Sequence, residues 1–116
     1  SKYWPGALTM VIPCSKKKKP ILTSRDFTLG LRIPNSFMAQ SLMQETGPLL
    51  TSSANISGFT GSITVEGIAL DFPSVDILGP VPWEKNSGKA STIISWKKKR
   101  DWEVIRHGEV LFKGLN

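Results

Sequence analysis

Four short β-prone runs constrain the fold of this chain more than any other feature of its sequence. Ala7–Pro13 (ALTMVIP) and Phe27–Ile33 (FTLGLRI) are rich in β-forming residues and predict two strands. Ser91–Trp96 (STIISW) and Trp102–Arg106 (WEVIR) flank a short basic turn and predict an antiparallel hairpin. No apolar run approaches the ~20 residues that a membrane-spanning helix needs.

Two segments between these runs predict helices. Asn35 or Ser36 is a candidate N-cap for a helix over Phe37–Glu45, where apolar side chains recur at roughly helical spacing. Thr64 is a candidate N-cap for a second helix over Val65–Phe72, whose first turn carries a glutamate that the helix dipole favours.

Two shorter segments, Leu49–Ser52 and Val75–Leu78, predict additional strands, the first of them buried. The 116 residues fit one domain, and no internal repeat or linker divides them. We therefore expect a single α/β domain over residues 1–116, built on a mixed sheet.

The chain is basic, with a net charge of +6 from 15 basic and 9 acidic residues. Much of the excess lies in two runs, Lys16–Lys19 and Lys97–Arg100, and such density favours nucleic acid, phosphate or nucleotide as partners. Each run also sits between apolar segments, as a solvated turn or hairpin connection does, and neither contains aromatic residues for base stacking. The charge therefore points to anions without distinguishing among them.

The chain has one cysteine, Cys14, and one histidine, His107. They cannot form an internal disulfide or, by themselves, a zinc site, so we expect no built-in metal centre. The lone cysteine and the lack of a signal-peptide pattern agree with a reducing, cytoplasmic environment. Because the chain begins with Ser1 rather than Met, we expect a processed protein or a fragment.

The stretch TSSANISG, Thr51–Gly58, is a candidate ligand-binding loop. Its hydroxyls and its amide can form neutral hydrogen bonds to a small molecule, and Gly58 permits close backbone approach or a positive φ. Ligands of open α/β sheets bind at loops that leave the carboxyl ends of strands. The same residue types also form Asx or Ser/Thr turns that cap a following helix, so both interpretations stand. No G-x-S-x-G elbow supports a serine hydrolase.

Two arginines lie at the ends of predicted strands. Arg32 precedes Ile33-Pro34, and Arg106 ends the last strand ahead of Gly108. A guanidinium in such a place meets a carboxylate or phosphate, or else points to solvent. Together with the Ser/Asn loop, the two arginines would form an anion-binding mouth.

Five segments follow one another along the chain: YWPGALTMVI, GLRIP, TSSANISG, STII and VIRHG. They resemble the Y-W-P-G-P-L-T, G-[VIL]-R-x-P, T-S-A-N-x-S-G, S-T-[IV]-[IV] and [IL]-R-x-G motifs of the YrdC/Sua5 family, the threonylcarbamoyl-AMP synthases of tRNA modification. The matches run from Tyr3 to Gly108, and five motifs in the correct order are far more specific than any one of them.

The resemblance implies a twisted open mixed α/β sheet with flanking helices and a positively charged groove. It implies L-threonine, bicarbonate or CO2, and ATP with Mg²⁺ as substrates, and threonylcarbamoyl-AMP and pyrophosphate as products. A partner transferase complex would use the adenylate to build N6-threonylcarbamoyladenosine at position 37 of tRNAs that read ANN codons, and RNA contact is a further implication. No nucleophilic side chain is required.

The resemblance also implies roles for individual residues. Arg32 would hold the threonine carboxylate, and Ser53 and Asn55 would form the wall between threonine and ATP. The implied ATP contacts are Thr28, Asn55, Ser62, Thr64 and Arg106.

The chain departs from the family pattern in two places. Ala7 replaces the second proline of W-P-G-P, and the family's N-terminal segment, whose Lys and Arg hold the triphosphate, has no counterpart before Tyr3. We therefore expect either the C-terminal portion of a longer protein or a divergent short relative, poorly active by itself. Two other functions stay open: a non-catalytic RNA-binding module, and a carbamoyl-adenylate-forming relative of the hydrogenase-maturation type.

Overall fold

The structure, a computed structural model, describes residues 2–15, 27–85, 87–98 and 101–115. The chain divides into two compact units: a sheet unit, Ser1–Gln40 together with Lys89–Asn116, and a loop unit, Ser41–Gly88. The Lys16–Lys19 run, predicted as a turn, lies outside the described residues, as do residues 99 and 100 of the second basic run.

The sheet unit contains a four-stranded mixed sheet in the order β2-β1-β3-β4. The strands are β1 (Leu8–Pro13), β2 (Thr28–Leu31), β3 (Thr92–Trp96) and β4 (Trp102–Arg106). β1 pairs antiparallel with β2 and parallel with β3, and β3 pairs antiparallel with β4. The four strands predicted from the β-prone runs, the hairpin between the last two and the α/β class with an open mixed sheet are all confirmed.

The register divides the side chains of the sheet between two faces. Leu8 pairs with Thr92, and both are fully buried together with Ile94. Thr9 pairs with Ile93 and lies on the opposite face, because successive side chains of a strand point to opposite sides. We refer to this second face as the Thr9 face.

The buried Thr92 hydroxyl holds the turn that follows β4. It accepts hydrogen bonds from the backbone N–H groups of Gly108 (3.0 Å) and Val110 (3.2 Å), and it donates to the Val110 carbonyl oxygen at 2.6 Å. Gly108 lies so close to Ala90 and Ser91 that a Cβ atom there would overlap their backbone atoms. A buried hydroxyl with partners on both its donor and acceptor sides thus fixes the path of the chain directly after β4.

The two predicted helices are present with nearly the expected bounds, α1 at Phe37–Thr46 and α2 at Val65–Asp71. Of the two candidates, Ser36 is the N-cap of α1, because its hydroxyl accepts a 3.4 Å hydrogen bond from the backbone N–H of Ala39. Thr64 caps α2 with an extended backbone (φ −110°, ψ 153°) and a 3.2 Å hydrogen bond from the Gly67 N–H.

The other two predicted strands are wrong. Among the described residues, neither Leu49–Ser52 nor Val75–Leu78 is a strand or pairs with one. Leu49 and Leu50 are 46% and 63% exposed, so the first run is not buried either. Short apolar runs have no periodicity that identifies them as strands, and among the described residues neither run lies beside another strand. The loop Thr51–Gly58 therefore does not leave the carboxyl end of a strand, which removes one argument for ligand binding.

Candidate functional site

The Thr9 face carries residues that the sequence analysis assigned to ligand binding. A Cβ atom on Gly30 would lie 3.6 Å from Thr9 Cγ2, so that position of β2 faces the same side as Thr9. Thr28 and Arg32 lie two residues before and two residues after Gly30. Alternation along an extended chain therefore puts both of them on the Thr9 face.

Arg106 lies on this face as well, at the same end of the sheet as Arg32. It pairs with Ile93, which in turn pairs with Thr9, and paired residues share a face. β2 and β4 are both antiparallel to the central pair of strands, so they run in the same direction and end at the same edge. Arg32 follows β2 directly and Arg106 ends β4, so their backbones are three strand spacings apart, roughly 14 Å.

The Arg32 guanidinium is exposed and is held from one side. Its Nε donates to the Gly6 carbonyl oxygen at 3.0 Å. Its two terminal nitrogens form no hydrogen bond or ion pair within the described residues. Parallel N–H groups on a fixed planar group form the fork that binds a carboxylate through two hydrogen bonds. Arg32 is therefore arranged as a receptor for a carboxylate or another planar oxyanion.

The Arg106 guanidinium is bound on two sides by one residue. Its Nε and Nη2 donate to the Ser91 carbonyl oxygen at 3.0 and 2.8 Å, and Nη2 also lies 3.1 Å from Ser91 Oγ. Within the part of the chain that is described, this leaves Nη1 as the terminal nitrogen without a partner. Arg106 thus offers one NH₂ group and a positive charge, an arrangement that suits a single phosphate oxygen.

In the loop unit, Asn55 closes the predicted ligand loop on itself. Its Nδ2 donates to the carbonyl oxygens of Ile56 (3.2 Å) and Phe59 (3.1 Å), and Gly58 has a φ of +85°. The loop is thus closed by its own amide donor, whereas the helix-capping turn left open by the sequence is not seen at Asn55, since Thr64 caps α2. Asn55 Oδ1 and the exposed Ser53 hydroxyl form no hydrogen bond within the described residues, so both are available to a ligand.

Ser62 and Thr64 bind to each other next to this loop. Their hydroxyl oxygens lie 3.3 Å apart, and Ser62 Oγ also accepts from the Thr64 N–H at 3.3 Å. A Cβ atom on Gly61 would lie 2.7 Å from the Ala54 carbonyl oxygen, so the backbone before Ser62 packs directly against the TSSANISG loop. The loop unit therefore brings four predicted site residues together: Ser53, Asn55, Ser62 and Thr64.

Almost the entire chain matches one protein family. The family model for Sua5/YciO/YrdC, described as "Telomere recombination", matches residues 1–108. The chain belongs to this family. The resemblance read from the five motifs is confirmed.

Curated relatives from this family carry the name threonylcarbamoyl-AMP synthase. The Bacillus subtilis (strain 168) protein is 36% identical over 72 residues, which are 60% of this chain and 21% of that protein. The Yersinia pestis (strain Pestoides F) protein is 34% identical over 100 residues, 84% of this chain and 53% of that protein. The chain thus spans about half the length of the second relative and less of the first. No solved structure matches the chain.

In this Sua5/YciO/YrdC chain, two hydroxyl groups on the Thr9 face were not among the predicted site residues. Thr9 Oγ1 lies 2.9 Å from Ser91 Oγ, although the residues are 82 positions apart. Thr9 and Ser91 both lie in segments that resemble family motifs, YWPGALTMVI and STII, and this match could have marked them as candidate site residues. Their contact depends on the parallel register of β1 and β3, which no local sequence pattern specifies.

A groove of about 290 Å³ lies within the loop unit. It is lined by the start of α2 with its N-cap Thr64 and by the segment around Trp83. The Trp83 indole is fixed by a 2.9 Å hydrogen bond from Nε1 to the Leu78 carbonyl oxygen. The predicted ATP contact Thr64 therefore borders an open groove, while its oxygen is already used to cap α2.

Two further observations concern the chain over its described ranges. No helix there is long and apolar enough to cross a membrane. No cluster of three or more His, Cys, Asp and Glu side chains there is arranged to hold a metal ion.

Proposed function

We propose that this chain carries the threonine-binding residues and part of the ATP-binding residues of an L-threonylcarbamoyladenylate synthase. The reaction joins L-threonine, bicarbonate or CO2, and ATP into threonylcarbamoyl-AMP and pyrophosphate. Membership of the Sua5/YciO/YrdC family and the name shared by the curated relatives support the reaction class.

The observation that carries the proposal is the state of the Arg32 guanidinium. Its Nε is fixed by the Gly6 carbonyl oxygen, and its two terminal nitrogens are free within the described residues. The proposed ligand of this fork is the threonine carboxylate, which accepts two parallel hydrogen bonds from it. Lysine, with a single ammonium group, would not reproduce this geometry.

Arg106 and Thr28, on the same face of the sheet, are the proposed nucleotide contacts of the sheet unit. The free Arg106 Nη1 suits a phosphate oxygen, and the roughly 14 Å between the backbones of the two arginines leaves room for a ligand between two long side chains. From the loop unit, Ser53 is the proposed threonine contact, Asn55 contacts both ligands, and Ser62 and Thr64 contact ATP.

The chemistry asks the protein for positioning rather than for a nucleophile. The threonine amine adds to CO2 to give a carbamate, a carbamate oxygen attacks the α-phosphorus of ATP, and pyrophosphate leaves. Residues that hold the carboxylate and the phosphates in place lower the barrier by orientation, and fixed positive charge stabilises the charge that develops on the phosphate oxygens.

The remaining components of the proposal are partners of the reaction. Mg²⁺ accompanies the ATP triphosphate as part of the substrate. The adenylate passes to a tRNA-modifying threonylcarbamoyl transferase complex, and contact with RNA belongs to that step. The proposed compartment is the cytoplasm, in agreement with the free thiol of Cys14.

The test is an NMR titration of the ¹⁵N-labelled chain with ATP·Mg²⁺ and with L-threonine, including the side-chain Nε–Hε signals of the arginines. Threonine should shift the Arg32 signal and ATP the Arg106 signal, and L-alanine, which shares the carboxylate but lacks the hydroxyl, should bind more weakly than threonine. A spectrum in which neither ligand shifts any predicted site residue would contradict the proposal. RNA binding with a steep salt dependence and no nucleotide binding would favour the RNA-binding alternative.

A further inference from the structure

We propose that Thr9 is a positioning residue: through the hydroxyl of Ser91 it sets the orientation of the Arg106 guanidinium toward an anionic ligand on the Thr9 face. The proposal rests on the proposed function only for the identity of that ligand, ATP. It adds a residue from β1 to a site whose arginines lie at the edge strands β2 and β4.

The contacts form a continuous chain across three strands. Thr9 Oγ1, on β1, lies 2.9 Å from Ser91 Oγ, at the start of β3. Ser91 Oγ lies 3.1 Å from Nη2 of Arg106, on β4, and the Ser91 carbonyl oxygen accepts from both Nε and Nη2. Within the described residues, Ser91 is therefore the residue that holds the Arg106 guanidinium, and Thr9 is the other side-chain partner of Ser91.

The backbone of β4 does not fix Arg106 by itself. β4 is an edge strand, and its pairing with β3 is irregular at this point, because Ile93 pairs with Arg106 while Ile94 pairs with Val104. The irregularity leaves Ile105 outside the ladder, directly before Arg106. An exposed arginine next to a bulge has many rotamers, so the contacts to Ser91 decide where its free Nη1 points.

Thr9 matters because a serine side chain has three staggered rotamers, and the hydrogen-bond partners of its hydroxyl help to choose among them. Ser91 is only 8% exposed, yet its hydroxyl must point toward Arg106 to accept from Nη2. The hydrogen bond to Thr9 favours that rotamer. Without the Thr9 hydroxyl, Ser91 Oγ is free to turn away, and Arg106 keeps only its bonds to the carbonyl oxygen.

The pair also leaves one hydroxyl proton for a ligand. Thr9 and Ser91 have two hydroxyl protons between them, and their mutual hydrogen bond uses one, whichever residue donates. Since Arg106 is itself a donor, it takes up none of these protons. Within the described residues no acceptor receives the second proton, so the pair keeps one hydroxyl donor on the face that carries Arg106.

The experiment compares Thr9→Val, which keeps the shape but removes the hydroxyl, with Thr9→Ser, which keeps the hydroxyl. The first readout is the Nε–Hε signal of Arg106 in the ligand-free, ¹⁵N-labelled chain. We expect Thr9→Val to shift this signal and speed its exchange with water, Thr9→Ser to restore it, and Ser95→Ala, a hydroxyl loss elsewhere on the Thr9 face, to leave it unchanged. Ser91→Ala, which removes the Oγ that Arg106 contacts, should shift the signal at least as far, and Thr9→Ala replaces Thr9→Val in the comparison if Thr9→Val does not fold.

The second readout is the affinity for ATP·Mg²⁺. We expect Thr9→Val to weaken binding by about 2- to 10-fold, the effect of one hydrogen bond, and to have no further effect in the Arg106→Ala background. An Arg106 signal that is identical in Thr9→Val and the unmodified chain would overturn the positioning role, whatever the affinity. An unmodified chain that binds no ATP, with the Arg106 signal still dependent on Thr9, would instead overturn the proposed function and leave the positioning role supported.

Discussion

The buried hydroxyl of Thr92 accepts a 3.0 Å hydrogen bond from the backbone N–H of Gly108, sixteen residues later in the chain. The bond joins the first residue of β3 to the turn after β4. The same hydroxyl also binds both backbone groups of Val110. One side chain therefore helps to fix the course of the chain beyond Arg106.

Replacing Thr92 with valine should destabilise the fold by about 2–4 kcal/mol. The substitution keeps the shape of the side chain but removes the partner of part-buried backbone groups of Gly108 and Val110. Urea unfolding at equilibrium measures the change. Thr46→Val is the matched control, because the Thr46 hydroxyl is bonded in an exposed position and its loss should cost no more than about 0.5 kcal/mol. Equal unfolding midpoints for the two variants would contradict the role assigned to Thr92.

Gly108→Ala should destabilise the fold by about 1–3 kcal/mol, because the added Cβ overlaps atoms of Ala90 and Ser91. These are backbone atoms, which cannot move aside as the end of a flexible side chain can. Gly30→Ala provides the comparison, since a Cβ there finds an ordinary 3.6 Å contact with Thr9. Its stability should change by less than about 1 kcal/mol. Thermal unfolding of both variants tests the difference, and an unaffected Gly108→Ala variant would show that the turn can move.

Arg32→Ala should weaken threonine binding by about 2–3 kcal/mol, or roughly 30- to 150-fold, because it removes both donors to the carboxylate. Arg32→Lys should recover only a small part of this loss, since it restores the charge without the fork. Calorimetric titration with L-threonine in the presence of ATP measures both variants. Full threonine affinity in Arg32→Ala would remove this residue from the proposed site.

Thr64→Ala should destabilise α2 by about 1 kcal/mol, because the Gly67 N–H loses the cap. Thr64→Ser keeps an oxygen at the same place and should retain the stability. Amide hydrogen exchange of the first turn of α2 reports the cap directly. If Thr64 also contacts ATP as proposed, Thr64→Ala should weaken ATP binding by about 2- to 10-fold, and Thr64→Ser should not.

The elements with a local signal could be predicted from the sequence. The four strands coincide with β-prone runs that end at a turn or a proline, and both helices begin at a hydroxyl residue that caps them. Leu49–Ser52 and Val75–Leu78 were predicted wrongly because a short apolar run becomes a strand only when another strand lies beside it. The sequence shows the run but not the neighbour.

For the candidate site too, local features could be predicted from the sequence, and contacts between distant segments could not. Arg32 and Arg106 could be singled out because a charged residue at the end of an apolar strand is conspicuous by itself. Their common face and common end of the sheet follow from strand order and register, which join distant parts of the chain. The contact between Thr9 and Ser91 has the same origin, so no pattern within either segment could have predicted it.

The parallel pairing of β1 with β3 also has a consequence for how the chain folds. Leu8 meets Thr92, 84 residues later, at the centre of the sheet. Closing so long a loop is slow compared with forming the β3–β4 hairpin, whose strands are nearly adjacent in sequence. During synthesis on the ribosome, β1 must wait with an unpaired edge until β3 has emerged. Until then, the open edge of Leu8–Pro13 is a place where another strand could pair.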